Sequence, residues 1–109
     1  MNTPDTFHVQ MGKRISERRK EFGLSQEELA EKADISPQAM STAERGIKAL
    51  RPENLLKISR ALNVSADYLL SGEMNDRDLG EFADKIRRLT PKEIRAIEKV
   101  IDGFIELNG

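Results

Sequence analysis

The stretch of residues 25–46 constrains the fold most, because it holds two helix-start signals only eleven residues apart. Ser25 and Glu28 have the spacing of a capping box, in which the serine hydroxyl and the glutamate carboxylate each accept the other residue's backbone N–H. Ser36 followed by Pro37 is a second helix-start signal. Proline has no backbone N–H, and the N–H of the first helical residue has no acceptor within the helix, so proline is well tolerated at that position. A turn this short makes two helices cross at roughly 90–120°. The sequence therefore predicts an angled helix pair with the front of its second helix directed outward.

Apolar residues recur at helical spacing along the rest of the chain, and no stretch alternates between apolar and polar residues as a half-buried strand does. The predicted first helix covers residues 11–22, a fourth helix covers residues 51–62, and a short fifth helix follows Ser65. A sixth helix begins near residue 79, and a last helix starts after Thr90, which a proline follows. The predicted fold class is therefore all-α.

Breaks in the helical pattern divide the chain into four parts. Residues 1–10 are polar and are expected to form a flexible N-terminal tail. Residues 11–72 form a five-helix domain that contains enough apolar residues to close its own core. Residues 73–78 are a polar linker, and residues 79–109 are expected to form a C-terminal helical hairpin.

Composition excludes several kinds of site. The chain has no Cys, which excludes disulfides and thiolate metal sites, and its single histidine, His8, leaves only metal sites built from oxygen ligands. The acidic residues are dispersed and lack the spacing of a calcium loop. The sequence also contains no nucleophile–base set and no phosphate-binding loop. We therefore expect no catalytic residues, no metal and no cofactor.

Hydropathy limits where in the cell the protein can be located, and charge limits which partners it can bind. No apolar run approaches the roughly 18 residues that a membrane span needs, and the polar N-terminus has no signal peptide, so we expect a soluble cytoplasmic protein. The net charge is −1, but residues 11–72 carry 11 basic and 9 acidic residues and residues 73–109 carry 7 and 9. The mild positive excess of the first part has the right sign for nucleic acid and is too small to identify a partner by itself.

Three stretches of the predicted five-helix domain carry a family resemblance: LSQEELA at residues 24–30, MSTAERG at 40–46 and ALNVSADYLL at 61–70. In these motifs and their spacing, residues 11–72 resemble the Cro/CI-type helix-turn-helix family, which includes phage repressors and bacterial xenobiotic-response-element regulators. The resemblance implies a lambda-repressor-like DNA-binding domain. It also implies a sequence-specific transcriptional regulator, most often a repressor, that binds an inverted-repeat operator in double-stranded DNA as a homodimer.

The resemblance assigns base reading to the first positions of the third helix and to one position a turn later. Here these are Pro37, Gln38, Ala39 and Thr42. A glutamine can bond adenine through two hydrogen bonds, and a threonine can bond a base edge or contact a thymine methyl group. Pro37 departs from the glutamine that phage repressors often have there, and Ala43 departs from the larger apolar residue usual in the family.

The resemblance also implies contacts to DNA phosphates and one structural ion pair. Gln26, at the start of the second helix, stands where the family holds a phosphate. Arg19 and Glu44 are expected to form a buried pair that stabilises the fold. Further phosphate contacts are expected from four cations around the third helix, which is the predicted base-reading helix: Arg14, Arg45, Lys48 and Arg51.

The last helix has a coiled-coil-like seam formed by Ile94, Ile97, Ile101 and Phe104. The seam could pack on the DNA-binding domain as core or pair with a second chain, and we favour a dimer interface because the operators of this fold usually have two half-sites. Two other functions stay open. One is the antitoxin of a toxin–antitoxin pair, and the other is a protein-interaction adaptor without DNA binding.

Overall fold

The structure, a computed structural model, describes residues 6–109, and this part of the chain contains seven α-helices and no β-strand. The helices are α1 (Thr6–Glu21), α2 (Gln26–Ala33), α3 (Pro37–Arg45), α4 (Pro52–Leu62), α5 (Ala66–Ser71), α6 (Asp76–Ile86) and α7 (Pro91–Asn108). The predicted all-α class is confirmed. The chain divides into two units, the first ending at Asn75 and the second covering Asp76–Gly109.

Side-chain caps begin α2 and α3 at the predicted residues. Ser25 Oγ accepts the Glu28 N–H at 3.0 Å, and Glu28 Oε1 accepts the Ser25 N–H at 2.8 Å, which completes the capping box. Ser36 Oγ accepts the N–H of the third residue of α3 at 3.0 Å. Between these caps, α2 ends at Asp34, whose φ of 59° is left-handed. The connection is therefore only three residues long, and it directs α3 away from α2.

The start of α1 differs from the prediction. The helix begins at Thr6, so residues 6–10, predicted as part of a flexible tail, are helical; residues 1–5 lie outside the described part. Tertiary packing explains the longer helix. A Cβ atom on Gly46 would lie 2.6 Å from the Val9 Cα, and one on Gly12 would meet the backbone carbonyl groups at the end of α3. The first turns of α1 are therefore held against the end of α3.

The core of the first unit takes side chains from all five helices. Fully buried members are Ile15, Leu29, Met40, Ile58, Leu62 and Leu69. Burial of a large aliphatic side chain contributes about 1.5–3 kcal/mol relative to exposure. Ala30, Ala33 and Ala43 are also buried, and their small side chains let α2 and α3 approach closely where they cross. This core fixes α3 on its inner face and leaves its opposite face at the surface.

The second unit contains α6 and α7. Because α6 begins at Asp76, the last three residues of the predicted linker, 76–78, are helical. Thr90 caps α7 as predicted: its Oγ1 accepts the Glu93 N–H at 3.2 Å, and Glu93 Oε1 accepts the Thr90 N–H at 2.9 Å. Neither helix contains a buried residue. The apolar side chains of this unit therefore remain largely in contact with solvent in the single chain.

Candidate nucleic-acid interface

The front of α3 forms one wall of a surface cleft. Its outward residues are Pro37 and Gln38, which are exposed, and Ala39 and Thr42, which are half-buried. Of these, Gln38, Ala39 and Thr42 line the cleft, which has a volume of about 300 Å³. The four predicted base-reading residues therefore lie together on the surface of one short helix.

The loop from α3 to α4 also lines the cleft. Two predicted phosphate-contacting residues, Lys48 and Arg51, lie there and are exposed. Neither side chain forms a hydrogen bond or an ion pair with any residue from 6 to 109, and the same holds for Gln38 and Thr42. The cleft thus presents amide, hydroxyl and cationic groups that are not used within the described part of the chain.

The other two predicted cations occupy different environments. Arg45, at the end of α3, is exposed and donates from Nε to the Ser41 carbonyl at a long 3.4 Å. Arg14 lies away from the cleft: its Nη1 donates to the Leu69 carbonyl at 3.0 Å and to that of Leu70 at 3.4 Å. Arg14 therefore satisfies carbonyl groups at the end of α5, and the structure does not bring it together with Lys48 and Arg51.

The predicted Arg19–Glu44 ion pair is present, and it joins α1 to α3. Arg19 Nε donates to Glu44 Oε2 at 2.7 Å, and Arg19 Nη2 donates to Glu44 Oε1 at 3.0 Å. The side chains are 12% and 4% exposed. Such a two-point contact is the strong geometry for a guanidinium and a carboxylate. Arg19 also donates from Nη1 to the Leu24 carbonyl at 2.7 Å, so the guanidinium holds the turn before α2 as well.

Gln26, the first residue of α2, also contacts this pair. Its Nε2 donates to Glu44 Oε1 at 3.0 Å, and the residue is half-buried. Glu44 thus accepts hydrogen bonds from α1 and α2 while lying on α3. Gln26 was predicted to contact a phosphate and Glu44 to form an ion pair, and the structure brings the two residues into one cluster.

No group of three or more histidine, aspartate or glutamate side chains in residues 6–109 is positioned to hold a metal ion. Within the same residues, no helix is both long enough and apolar enough to cross a membrane.

Comparison with known proteins identifies the family. A profile of the family described as Helix-turn-helix matches residues 15–69, about half of the chain and most of α1–α5. The chain belongs to this helix-turn-helix family. Its relatives include the HTH-type transcriptional regulator ImmR of Bacillus subtilis, which is 31% identical over 86% of this chain and 95% of its own length.

Two further relatives extend the comparison to structure. The repressor protein C2 of Salmonella phage P22 is 39% identical over 63% of this helix-turn-helix chain, which spans about a third (32%) of that repressor's length. A crystal structure of the P22 c2 repressor in complex with synthetic operator 9T matches with a TM-score of 0.56 and 43% identity, over 58% of this chain and 96% of the other. The N-terminal DNA-binding domain of SinR from Bacillus subtilis matches with a TM-score of 0.57 and 40% identity, over 59% and 94%.

The cleft also contains residues that sequence reasoning missed in this helix-turn-helix chain. Ser36, Ala49, Leu50 and Asn54 line it beside the predicted residues. Asn54 lies in the first turn of α4, two residues after the proline that begins the helix. A polar side chain at this position was the signal for the site that the sequence contained. Only the packing of α4 beside the loop, however, brings Asn54 to the same cleft as α3.

Proposed function

We propose that this helix-turn-helix protein is a sequence-specific transcriptional repressor that binds an inverted-repeat operator in double-stranded DNA as a homodimer. The observation that carries the proposal is the cleft, where polar groups of α3 with no partner in the described chain stand beside two unpaired cations. The P22 c2 repressor, which matches 58% of this chain, has been solved in complex with a synthetic operator, and this supports the choice of DNA as the partner. The proposal assigns the protein to the cytoplasm and includes no enzyme activity and no cofactor.

In this proposal α3 reads bases from the major groove. Gln38 is exposed and can bond an adenine through both atoms of its amide, and Thr42 can bond a base edge or contact a thymine methyl group. Pro37 and Ala39 offer apolar contact only, so they select for shape and for methyl groups. Discrimination against a wrong base pair therefore rests mainly on two side chains in each half-site.

Phosphate contacts supply most of the proposed affinity. Lys48 and Arg51 lie on the cleft wall, Arg45 is exposed at the end of α3, and Gln26 stands at the start of α2. Neutralised phosphates release counterions, so operator affinity is expected to fall steeply as salt concentration rises. Because the net charge of the whole chain is −1, the attraction comes from this local arrangement rather than from total charge.

The proposed second subunit pairs through the C-terminal helices. In α7, Ile94 and Ile97 are half-buried, whereas Ile101 is 42% exposed and Phe104 is 62% exposed. Val100, at 57% exposed, widens this apolar surface. A contiguous apolar face of this kind on a helix that buries no residue favours association with another chain. A two-fold dimer then matches two half-sites about one helical turn apart.

Selection of bound sequences from a random DNA pool tests the proposal, with the full chain compared with a truncation ending at Asn75. The truncation keeps the five-helix core intact. We expect the full chain to enrich an inverted repeat with half-site centres about 10 base pairs apart, and the truncation to lose that spacing. Failure of both proteins to enrich any sequence at low salt would contradict the repressor proposal. Absence of salt-dependent binding to any DNA would favour the adaptor, whereas co-purification of a second small protein with a chain that still binds DNA would favour the antitoxin.

A further inference from the structure

The cluster around Glu44 includes Gln26, a residue that the proposed function places at a DNA phosphate. We infer that Glu44 is a positioning residue for DNA binding, which turns the amide of Gln26 so that one of its N–H groups is available to a phosphate. The inference rests on the proposed function and adds a residue that does not itself touch DNA. It starts from the 3.0 Å hydrogen bond between Gln26 Nε2 and Glu44 Oε1.

The chemistry of the carboxylate determines which way the Gln26 amide faces. An ionised carboxylate only accepts hydrogen bonds, so the amide must present its nitrogen to Glu44 and direct its oxygen elsewhere. The carboxylate cannot rotate freely, because Arg19 holds both of its oxygens at 2.7 and 3.0 Å and its side chain is only 4% exposed. The direction of the amide is therefore set before any ligand binds.

The remaining hydrogen-bonding capacity of Gln26 suits an anion. The side-chain amide has two N–H groups, and one of them is used by Glu44. As the first residue of α2, Gln26 also has a backbone N–H without an acceptor inside the helix. In the proposed contact, both donors of Gln26 face the same phosphate.

Charge in this region makes the direction of the donors important. The negative charge of Glu44 is compensated by Arg19, so the pair adds no net charge near a phosphate. Glu27 and Glu28 lie in the same first turn and oppose an anion electrostatically. A phosphate contact here therefore depends on correctly oriented N–H groups rather than on net positive charge.

The first test measures the motion of side-chain amides in the free protein by ¹⁵N relaxation. The chain has three glutamines, and Gln10 and Gln38 are exposed side chains without a hydrogen bond to any residue from 6 to 109, so they serve as internal controls. We expect the Gln26 amide nitrogen to be as rigid as the backbone and those of Gln10 and Gln38 to be mobile. Equal mobility of the three amides would overturn the inference, and this test needs no variant to fold.

The second test measures affinity for the selected operator after each phosphate in turn is replaced by a neutral methylphosphonate. Four proteins are compared: wild type, Gln26→Met, Glu44→Gln and the double variant, each at a temperature where circular dichroism shows it folded. We expect wild type to lose about tenfold in affinity at one phosphate in each half-site, the strength of one charge-assisted hydrogen bond. At that phosphate the three variants should lose clearly less affinity than wild type, because only the backbone N–H of residue 26 remains oriented to donate there. The double variant should bind no more weakly than Gln26→Met. Glu31→Gln, an equal change of charge at an exposed position of α2, is the control and should behave as wild type.

The outcomes separate the inference from the proposed function. A folded Glu44→Gln variant that keeps the wild-type loss at that phosphate would overturn the inference alone, because Glu44 would then be purely structural. Absence of salt-dependent DNA binding by the wild-type protein would overturn the proposed function and the inference together.

Discussion

At Glu44, one side chain joins three helices. It lies on α3, accepts from Arg19 of α1 at 2.7 Å and from Gln26 of α2 at 3.0 Å, and is nearly inaccessible to solvent. A buried pair of this kind adds little net stability compared with apolar residues of the same shape, but removal of one partner leaves an uncompensated charge. We therefore expect a single substitution in this pair to lower the free energy of unfolding by a large amount.

Replacement of Arg19 by methionine tests that penalty. Arg19→Met keeps most of the side-chain volume and leaves the Glu44 carboxylate with one donor, Gln26. We expect the free energy of unfolding, measured by urea denaturation, to fall by about 3–5 kcal/mol. Arg60→Met, at an exposed arginine of α4, should change it by less than about 0.5 kcal/mol. A similar small change for both variants would show that the pair is not structurally important.

Gly46 lies where α1 packs closely against the end of α3. Gly46 and Gly23 both have a φ of +69°, but a Cβ atom on Gly46 would lie 2.6 Å from the Val9 Cα, whereas one on Gly23 would meet nothing within 4 Å. Alanine at either position costs about 1–2 kcal/mol of backbone strain. Gly46→Ala should cost a further 1–3 kcal/mol, roughly, because α1 must move. Equal losses of unfolding free energy for Gly46→Ala and Gly23→Ala would contradict the packing of α1 on α3.

At the scale of the element, the capping boxes make helix stability depend on pH. The N–H of Ser25 and then its hydroxyl hold the pKa of Glu28 below the ordinary value of 4.5, and Thr90 does the same for the pKa of Glu93. A pKa that is lower in the folded protein means that the native state binds fewer protons than the unfolded state. The resulting stability is present above the unfolded pKa of 4.5 and is lost as pH falls through the lower folded pKa.

Glu28→Gln isolates this effect, because glutamine keeps the hydrogen bond of the box without its charge. We expect the variant to be less stable than wild type near neutral pH, and the difference in unfolding free energy to shrink as pH falls from about 6 to about 3. Glu31→Gln, at an exposed residue of the same helix, is the control and should show a constant difference. A difference for Glu28→Gln that does not change with pH would contradict the capping role.

Some helix starts could be predicted from the sequence and others could not. The starts of α2, α3 and α7 were predictable because each depends on residues within one turn, as in Ser25 with Glu28. The start of α1 was not, because it depends on contact with Gly46, which lies far along the chain. The contact of Arg14 was not predictable for the same reason, because the Leu69 carbonyl that it binds is 55 positions away in the chain. Local signals predict caps, and only tertiary packing decides which long side chains remain free.

In the molecule as a whole, the two units bury their apolar side chains to different extents, so we expect their stabilities to depend differently on protein concentration. The first unit has a closed core, whereas the second buries no residue and exposes an apolar face on α7. The first unit should therefore unfold with a midpoint independent of protein concentration. In the proposed homodimer a partner subunit covers the apolar side chains of the second unit, so the stability of this unit should depend on association.

Ile101→Glu tests the association. A charge in the apolar face of α7 should make the protein monomeric, in sedimentation, at concentrations where wild type is dimeric. Lys99→Gln, an equal change of charge at an exposed neighbouring residue of α7, should stay dimeric. The core of the first unit should be unaffected, since Ile101 is not part of it. A dimer that survives Ile101→Glu would place the subunit interface elsewhere.

In the proposed function the front of α3 reads base sequence and the cations of the cleft hold phosphates, so substitutions at these two places should affect DNA binding in different ways. Operator selection is repeated with Gln38→Ala and Lys48→Ala, and affinity is measured against salt. Gln38→Ala should relax the preference at one base pair in each half-site by about 1–3 kcal/mol without changing the salt slope. Lys48→Ala should weaken binding to all sequences alike and reduce the slope by about 1. An unchanged selected motif for Gln38→Ala would contradict the account, because α3 would then not read the operator.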